Sequence, residues 1–119
     1  AAALATLSII EEEGLIANAI EMGALIRDGI ADGLKGNAGI RAIRGRGLMI
    51  GVELDRPCGE LVTRALERQL LINVTVDNVV RLLPPLTINR DEAGQIVSIL
   101  VPLIREFLAQ PLPQPAVKP

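Results

Sequence analysis

Few side chains in this sequence could do chemistry, and the one singled out is an arginine. Arg81 ends the apolar run Val79-Val80 and directly precedes Leu82-Leu83-Pro84-Pro85. A short strand and then a rigid, extended Pro-Pro segment would hold its guanidinium in place. The planar fork can grip a carboxylate through two parallel hydrogen bonds. On spacing alone, a surface strand arginine is the plainer reading, because long charged side chains mostly lie in water.

The other candidates carry less. Cys58 falls in the first turn of a helix expected to start at Pro57, where the helix dipole could lower a thiol pKa. A reactive thiol also needs a base or a cation, and the chain has no histidine, so a small packed residue is the better reading. Glu11, Glu12 and Glu13 sit badly at the end of a helix and read as a solvated face. Gly45-x-Gly47 followed by Gly51 fails as a dinucleotide loop: Ile50 occupies the place of the third glycine, and the segment leads into a strand. Arg41, Arg44 and Arg46 cluster without neighbouring aromatics and read as solvated strand and turn residues. No metal site is expected.

The elements that must position these residues follow from periodicity. Residues 1–35 form a helical lead-in. Ala1–Glu13 reads as one helix, Gly14 as a break or bend, and Leu15–Leu34 as a second helix with Leu15, Ala19, Met22, Ile26 and Ile30 on one face. Gly23, Gly29 and Gly33 each weaken a helix by about 1 kcal/mol relative to alanine; they either permit close packing or are neutral. Gly36 fits a C-terminal cap. Ile40–Arg44 and Leu48–Leu54 read as strands around a Gly45-Arg46-Gly47 turn. Pro57 suits the first turn of a third helix, with a stripe of Leu61, Val62, Ala65, Leu66 and Leu70. Leu71–Thr75 and Val79–Leu82 are short strands around the turn pair Asp77-Asn78. Asn89 and Glu92 form a capping box for the last helix, whose stripe is Ala93, Ile96, Val97, Leu100 and Ile104. Pro102 should kink or break it. Pro111, Pro113, Pro115 and Pro119 make residues 109–119 a proline-rich tail, expected to be mobile. The class is α+β: a small three- to four-stranded, mostly antiparallel sheet covered by helices.

Composition narrows the class of function. The chain has 119 residues, enough for one core. Half of them are apolar, yet Phe107 is the only aromatic, so the core must be aliphatic. Either one face is covered by something else, or the core is simply rich in leucine. A net charge of −2 argues against nucleic acid. A single cysteine favours a reducing, cytoplasmic location. No apolar run reaches the roughly 18 residues of a membrane helix. Ala1–Ile10 lacks the basic start of a signal peptide, and a chain that begins in helix without Met or cap reads as one cut inside a longer protein.

Several ordered segments carry a resemblance. Ile43 to Asp55, Ile-Arg-Gly-Arg-Gly-Leu-Met-Ile-Gly-Val-Glu-Leu-Asp, resembles the R-G-x-G-L-M-x-G-x-E-L segment of class III aminotransferases. Arg56-Pro57-Cys58, Leu70 to Thr75 and Asp77 to Leu86 resemble the acetylornithine aminotransferase branch in the same order, as does Ala1 to Leu15. The match runs to about Leu108.

The resemblance implies a C-terminal small domain, residues 1–108, of a fold-type-I homodimer that uses pyridoxal phosphate to pass the amino group of N-acetylornithine to 2-oxoglutarate in arginine biosynthesis. Its partners would be the large cofactor-binding domain and small amino and 2-oxo acids. The family's arginine in R-x-x-P-P, which binds the substrate α-carboxylate, matches Arg81. The Schiff-base lysine, the aspartate that pairs with the pyridinium nitrogen and the phosphate-binding loop lie upstream in the family. Neither Lys35 nor Lys118 matches the lysine motif. No catalytic residue and no bound cofactor are therefore expected in this chain, which should be inactive alone. Related ornithine or succinylornithine aminotransferases, and an independent ligand- or protein-binding regulatory module, are the alternatives. Gln69 stands where the family commonly has glycine, and Pro102 where its last helix is usually continuous.

Overall fold

The computed structural model describes the backbone from Ala2 to Gln110 and side chains from Glu13 onward; the tail prolines from Pro111 on lie outside the described residues. Among the described residues the order is α1 (Ala2–Gly33), β1 (Ile40–Arg46), β2 (Met49–Leu54), α2 (Glu60–Glu67), β3 (Asn73–Thr75), β4 (Val79–Leu82) and α3 (Arg90–Leu108). The four strands form one antiparallel sheet in the order β1-β2-β4-β3. This is the expected α+β class, with the core on one face of the sheet. No helix among the described residues is long and apolar enough to cross a membrane.

Ala19, Met22, Ile26 and Ile30 form the buried inner stripe of α1, and Leu34 just beyond its end is buried with them. They join Ile50, Val52 and Leu54 of β2, Val80 and Leu82 of β4, Leu61 and Ala65 of α2, and Leu100, Leu103 and Ile104 of α3 in one aliphatic cluster. The glycines of α1 are packing devices. A Cβ on Gly23 would lie 1.9 Å from the Gly47 carbonyl oxygen, and one on Gly33 would lie 2.7 Å from a Val101 methyl. Helix backbone and hairpin turn can touch because Gly23 lacks a side chain, and α1 and α3 approach closely at Gly33 for the same reason.

Several expectations are corrected. Gly14 neither breaks nor ends a helix: α1 is continuous for 32 residues, and Glu11-Glu12-Glu13 lie inside it. β1 runs through Gly45 and Arg46, and the turn falls at Gly47-Leu48, with Gly47 at φ 57°. Pro57 and Cys58 precede α2, whose cap is Gly59. Leu66 of the expected α2 stripe is exposed. β3 starts at Asn73, so Leu71 and Ile72 lie outside it. In the β3–β4 turn the positive φ values belong to Val76 and Asp77. Asn78 extends the ladder, its carbonyl accepting from the Leu54 amide at 2.8 Å. Helix α3 passes through Pro102 unbroken; the buried Leu100, Val101, Leu103 and Ile104 on either side hold it against the lost hydrogen bond. The Asn89–Glu92 capping box forms as expected, with the Glu92 amide donating to Asn89 Oδ1 at 2.8 Å. Gly36 takes the left-handed conformation of a helix end.

Two buried polar groups shape the back of the fold. Arg56 donates to Asp55 at 2.8 Å and to the Gln110 carbonyl at 2.5 Å, tying the end of β2 to the end of α3. Its guanidinium holds the Asp55 carboxyl below its ordinary value. Cys58 is fully enclosed, its amide donating to the Asp77 carbonyl at 2.7 Å.

Three outcomes follow for stability. Gln69 adopts φ 64° after α2, so Gln69→Gly should stabilise the chain by about 1 kcal/mol, read from urea midpoints. Gly23→Ala should cost roughly 1–3 kcal/mol or more through the clash with Gly47, read the same way. Burial pushes the Cys58 thiol up from 9.0 to about 11. The unfolded chain therefore loses this proton first, and stability should be level below pH 9.0 and fall from there to about 11. That alkaline loss should shrink in Cys58→Ala.

Candidate functional site

The bare face of the sheet holds the site. Ile50, Val52, Leu54, Val80 and Leu82 point into the core. Strand alternation therefore turns Met49, Gly51, Glu53, Val79 and Arg81 outward. The register aligns four of the outward positions in one row: Arg44 pairs with Gly51, Gly51 with Arg81, and Arg81 with Asn73. The row crosses all four strands.

A depression of about 870 Å³ lies over this row. Arg44, Arg46 and Arg81 line it with Glu53 as the one carboxylate, and Leu71, Val76 and Leu83 form apolar parts of its wall. Arg44 is bound to Glu53 at 3.1 Å. Arg81 is exposed and, among the described residues, has neither an ion pair nor a side-chain hydrogen bond. The depression therefore carries excess positive charge in a chain whose net charge is −2. A free guanidinium on a concave, half-apolar surface suits a small anion with an aliphatic body.

The remaining candidates fall elsewhere. Cys58 sits in the core, with no charged neighbour raising its reactivity. Arg41 occupies the β1 irregularity between Ile40 and Ala42, away from the row. Lys35 follows the end of α1, exposed to solvent, and does not line the depression. Among the described residues no group of three His, Cys, Asp or Glu side chains could hold a metal ion. The sequence reading missed that Arg44 and Arg46 join Arg81. Their i, i+2 spacing places them on one strand face, a signal obscured by assigning Arg46 to a turn.

The comparisons with known proteins agree with one another. The aminotransferase class-III family model matches residues 1–104. Acetylornithine aminotransferase 1 of Bordetella bronchiseptica is 62% identical over 110 residues, covering 92% of this chain and 28% of the relative. Acetylornithine aminotransferase of Nitrosomonas europaea is 48% identical over 107 residues, 90% of this chain and 27% of the relative. Among solved structures, acetylornithine aminotransferase from Elizabethkingia anophelis superposes with a TM-score of 0.76 at 29% identity, covering 88% of this chain and 29% of that one. Plasmodium falciparum ornithine delta-aminotransferase gives 0.78 at 26% identity, covering 87% and 28%. The chain thus spans somewhat over a quarter of the length of these relatives, and it belongs to the class III aminotransferase family.

Proposed function

We propose that this chain, through residue 108, is the small C-terminal domain of an aminotransferase that moves the amino group of N-acetylornithine to 2-oxoglutarate, with Arg81 binding the substrate α-carboxylate. The single observation that carries the reading is Arg81 itself: an exposed guanidinium, unpaired within the described residues, lining the sheet's open depression. Both the amino donor and the oxo acceptor carry an α-carboxylate, so one clamp orients both halves of the reaction. Acetylornithine is favoured over ornithine as donor because the 62% identical relative bears that name, whereas the ornithine enzyme cited above is 26% identical.

The residues of this chain do not fit pyridoxal phosphate. Lys35 is the one lysine among the described residues, and it is remote from the depression. The cofactor, which in this family takes up and hands on the amino group, would be held by a large domain outside this chain. That domain would cover the depression and its exposed Leu71, Val76 and Leu83. A homodimer serving arginine biosynthesis in the cytoplasm completes the reading.

What Arg81 does is hold and orient. Two parallel hydrogen bonds to a carboxylate fix both the position and the plane of the bound acid. Lysine offers a point charge without that fork. In the intact aminotransferase, Arg81→Ala should lower kcat/KM for donor and acceptor alike by about 2 kcal/mol, roughly 30-fold. Arg81→Lys should recover only part of this. The melting temperature should not move, because Arg81 has no partner to lose within the described residues. Unchanged kinetics for both substrates in Arg81→Ala would remove the carboxylate role.

A further inference from the structure

Gly51 lies in the interior of β2, between Arg44 and Arg81 in the cross-sheet row. Glycine weakens a strand interior, so it calls for a reason. Neither conformation nor crowding within the described residues supplies one. Gly51 does not have a positive φ, unlike Gly36 and Gly47. A Cβ built on it would meet only a Val79 methyl at 3.4 Å, an ordinary contact. Gly23 and Gly45 differ sharply: a Cβ there would lie 1.9 Å from the Gly47 carbonyl oxygen and 2.5 Å from Arg27 Cδ, respectively. Backbone contact requires the glycine at 23, and at 45 the Arg27 side chain would have to move; Gly51 meets neither condition.

The missing side chain would point into the depression, since Ile50 and Val52 on either side face the core. With strands about 4.8 Å apart, the backbones of Arg44 and Arg81 lie roughly 10 Å from each other. Between them runs a strip of bare peptide one strand wide. Arg44 is bound to Glu53, two residues along β2 from Gly51 on the same face. Close approach from outside is the remaining use for a glycine here.

We propose that Gly51 is a substrate-positioning residue: its bare backbone floors a slot beside Arg81 in which the carboxylate end of the amino acid or oxo acid lies against β2. The inference rests on the reading of Arg81 as the carboxylate clamp. A side chain at 51 would stand in the slot and lift the acid away from the guanidinium. The penalty should grow with the size of that side chain, and it should fall on donor and acceptor alike because both present the same group.

The test compares Gly51→Ala, Gly51→Val and Arg81→Ala in the intact aminotransferase, with KM and kcat for both substrates and a thermal melt of each protein. Gly51→Ala should raise both KM values several-fold and Gly51→Val roughly tenfold or more, with melting temperatures level or higher. Unchanged KM values in both glycine variants overturn the inference. So does a lowered melting temperature with unchanged KM, which would mean that the rest of the protein packs against Gly51. If Arg81→Ala raises both KM values while the glycine variants are silent, only the role of Gly51 fails. If Arg81→Ala leaves both KM values unchanged, the carboxylate reading fails and the role of Gly51 falls with it.

Discussion

The contact between Gly23 and Gly47 sets how closely α1 can lie on the sheet. A single methyl group at position 23 would sit 1.9 Å from the Gly47 carbonyl oxygen. Without that methyl, helix and hairpin meet backbone to backbone, and Met22, Ile26 and Ile30 join Ile50, Val52 and Leu54 in one core. Gly45 supports the same approach, with the Arg27 side chain crossing it to donate to the carbonyls of Gly23 and Gly45. Once one face of β2 and β4 is committed to the core, strand alternation leaves no choice for the other face. Gly51, Glu53, Val79 and Arg81 must then face outward.

That outward face is not finished as a water-facing surface. Leu71, Val76 and Leu83 are 81%, 84% and 77% exposed around a basic depression. Monomeric proteins rarely leave such clusters bare unless something binds there. Val76 is also held at φ 51°, an unusual conformation for a β-branched residue, by hydrogen bonds that anchor the turn to Leu54 and Cys58. The chain spans 28% of the length of its Bordetella relative, and in the proposed reading a large domain covers this face.

The polar interactions divide by location. Arg56, the one buried charged group among the described residues, is answered by Asp55 and the Gln110 carbonyl. At the rim, Arg68 meets Glu106, and Arg105 caps the Gly33 carbonyl. Over the open face the balance is different: Glu53 answers Arg44, while Arg46 and Arg81 have no ion pair among the described residues. This asymmetry separates groups that hold the fold from a group available to a ligand.

Much was legible in the sequence because it depends on neighbours in the chain. The strand Val79–Leu82, the Asn89–Glu92 capping box, the left-handed Gly36 and the stripe of α1 all follow from local patterns. The family resemblance rested on the same ordered segments. What the sequence misplaced depends on distant partners. Gly14 and Pro102 carry local penalties of about 1 and 3 kcal/mol. The cost of Pro102 is small beside the burial of Leu100, Val101, Leu103 and Ile104 around it, so α3 stays continuous; α1 also runs on through Gly14, where a Cβ would meet nothing and no strain arises. Cys58 was placed in a helix, but its amide is taken by Asp77, nineteen residues on, and the helix starts later. Arg81 was singled out from its place before Leu82-Leu83-Pro84-Pro85 together with the family resemblance. That Arg44 stands beside it, with a bare glycine between them, was decided by the pairing of β1, β2 and β4, because register across a sheet is set by which faces the core accepts and not by spacing along one strand.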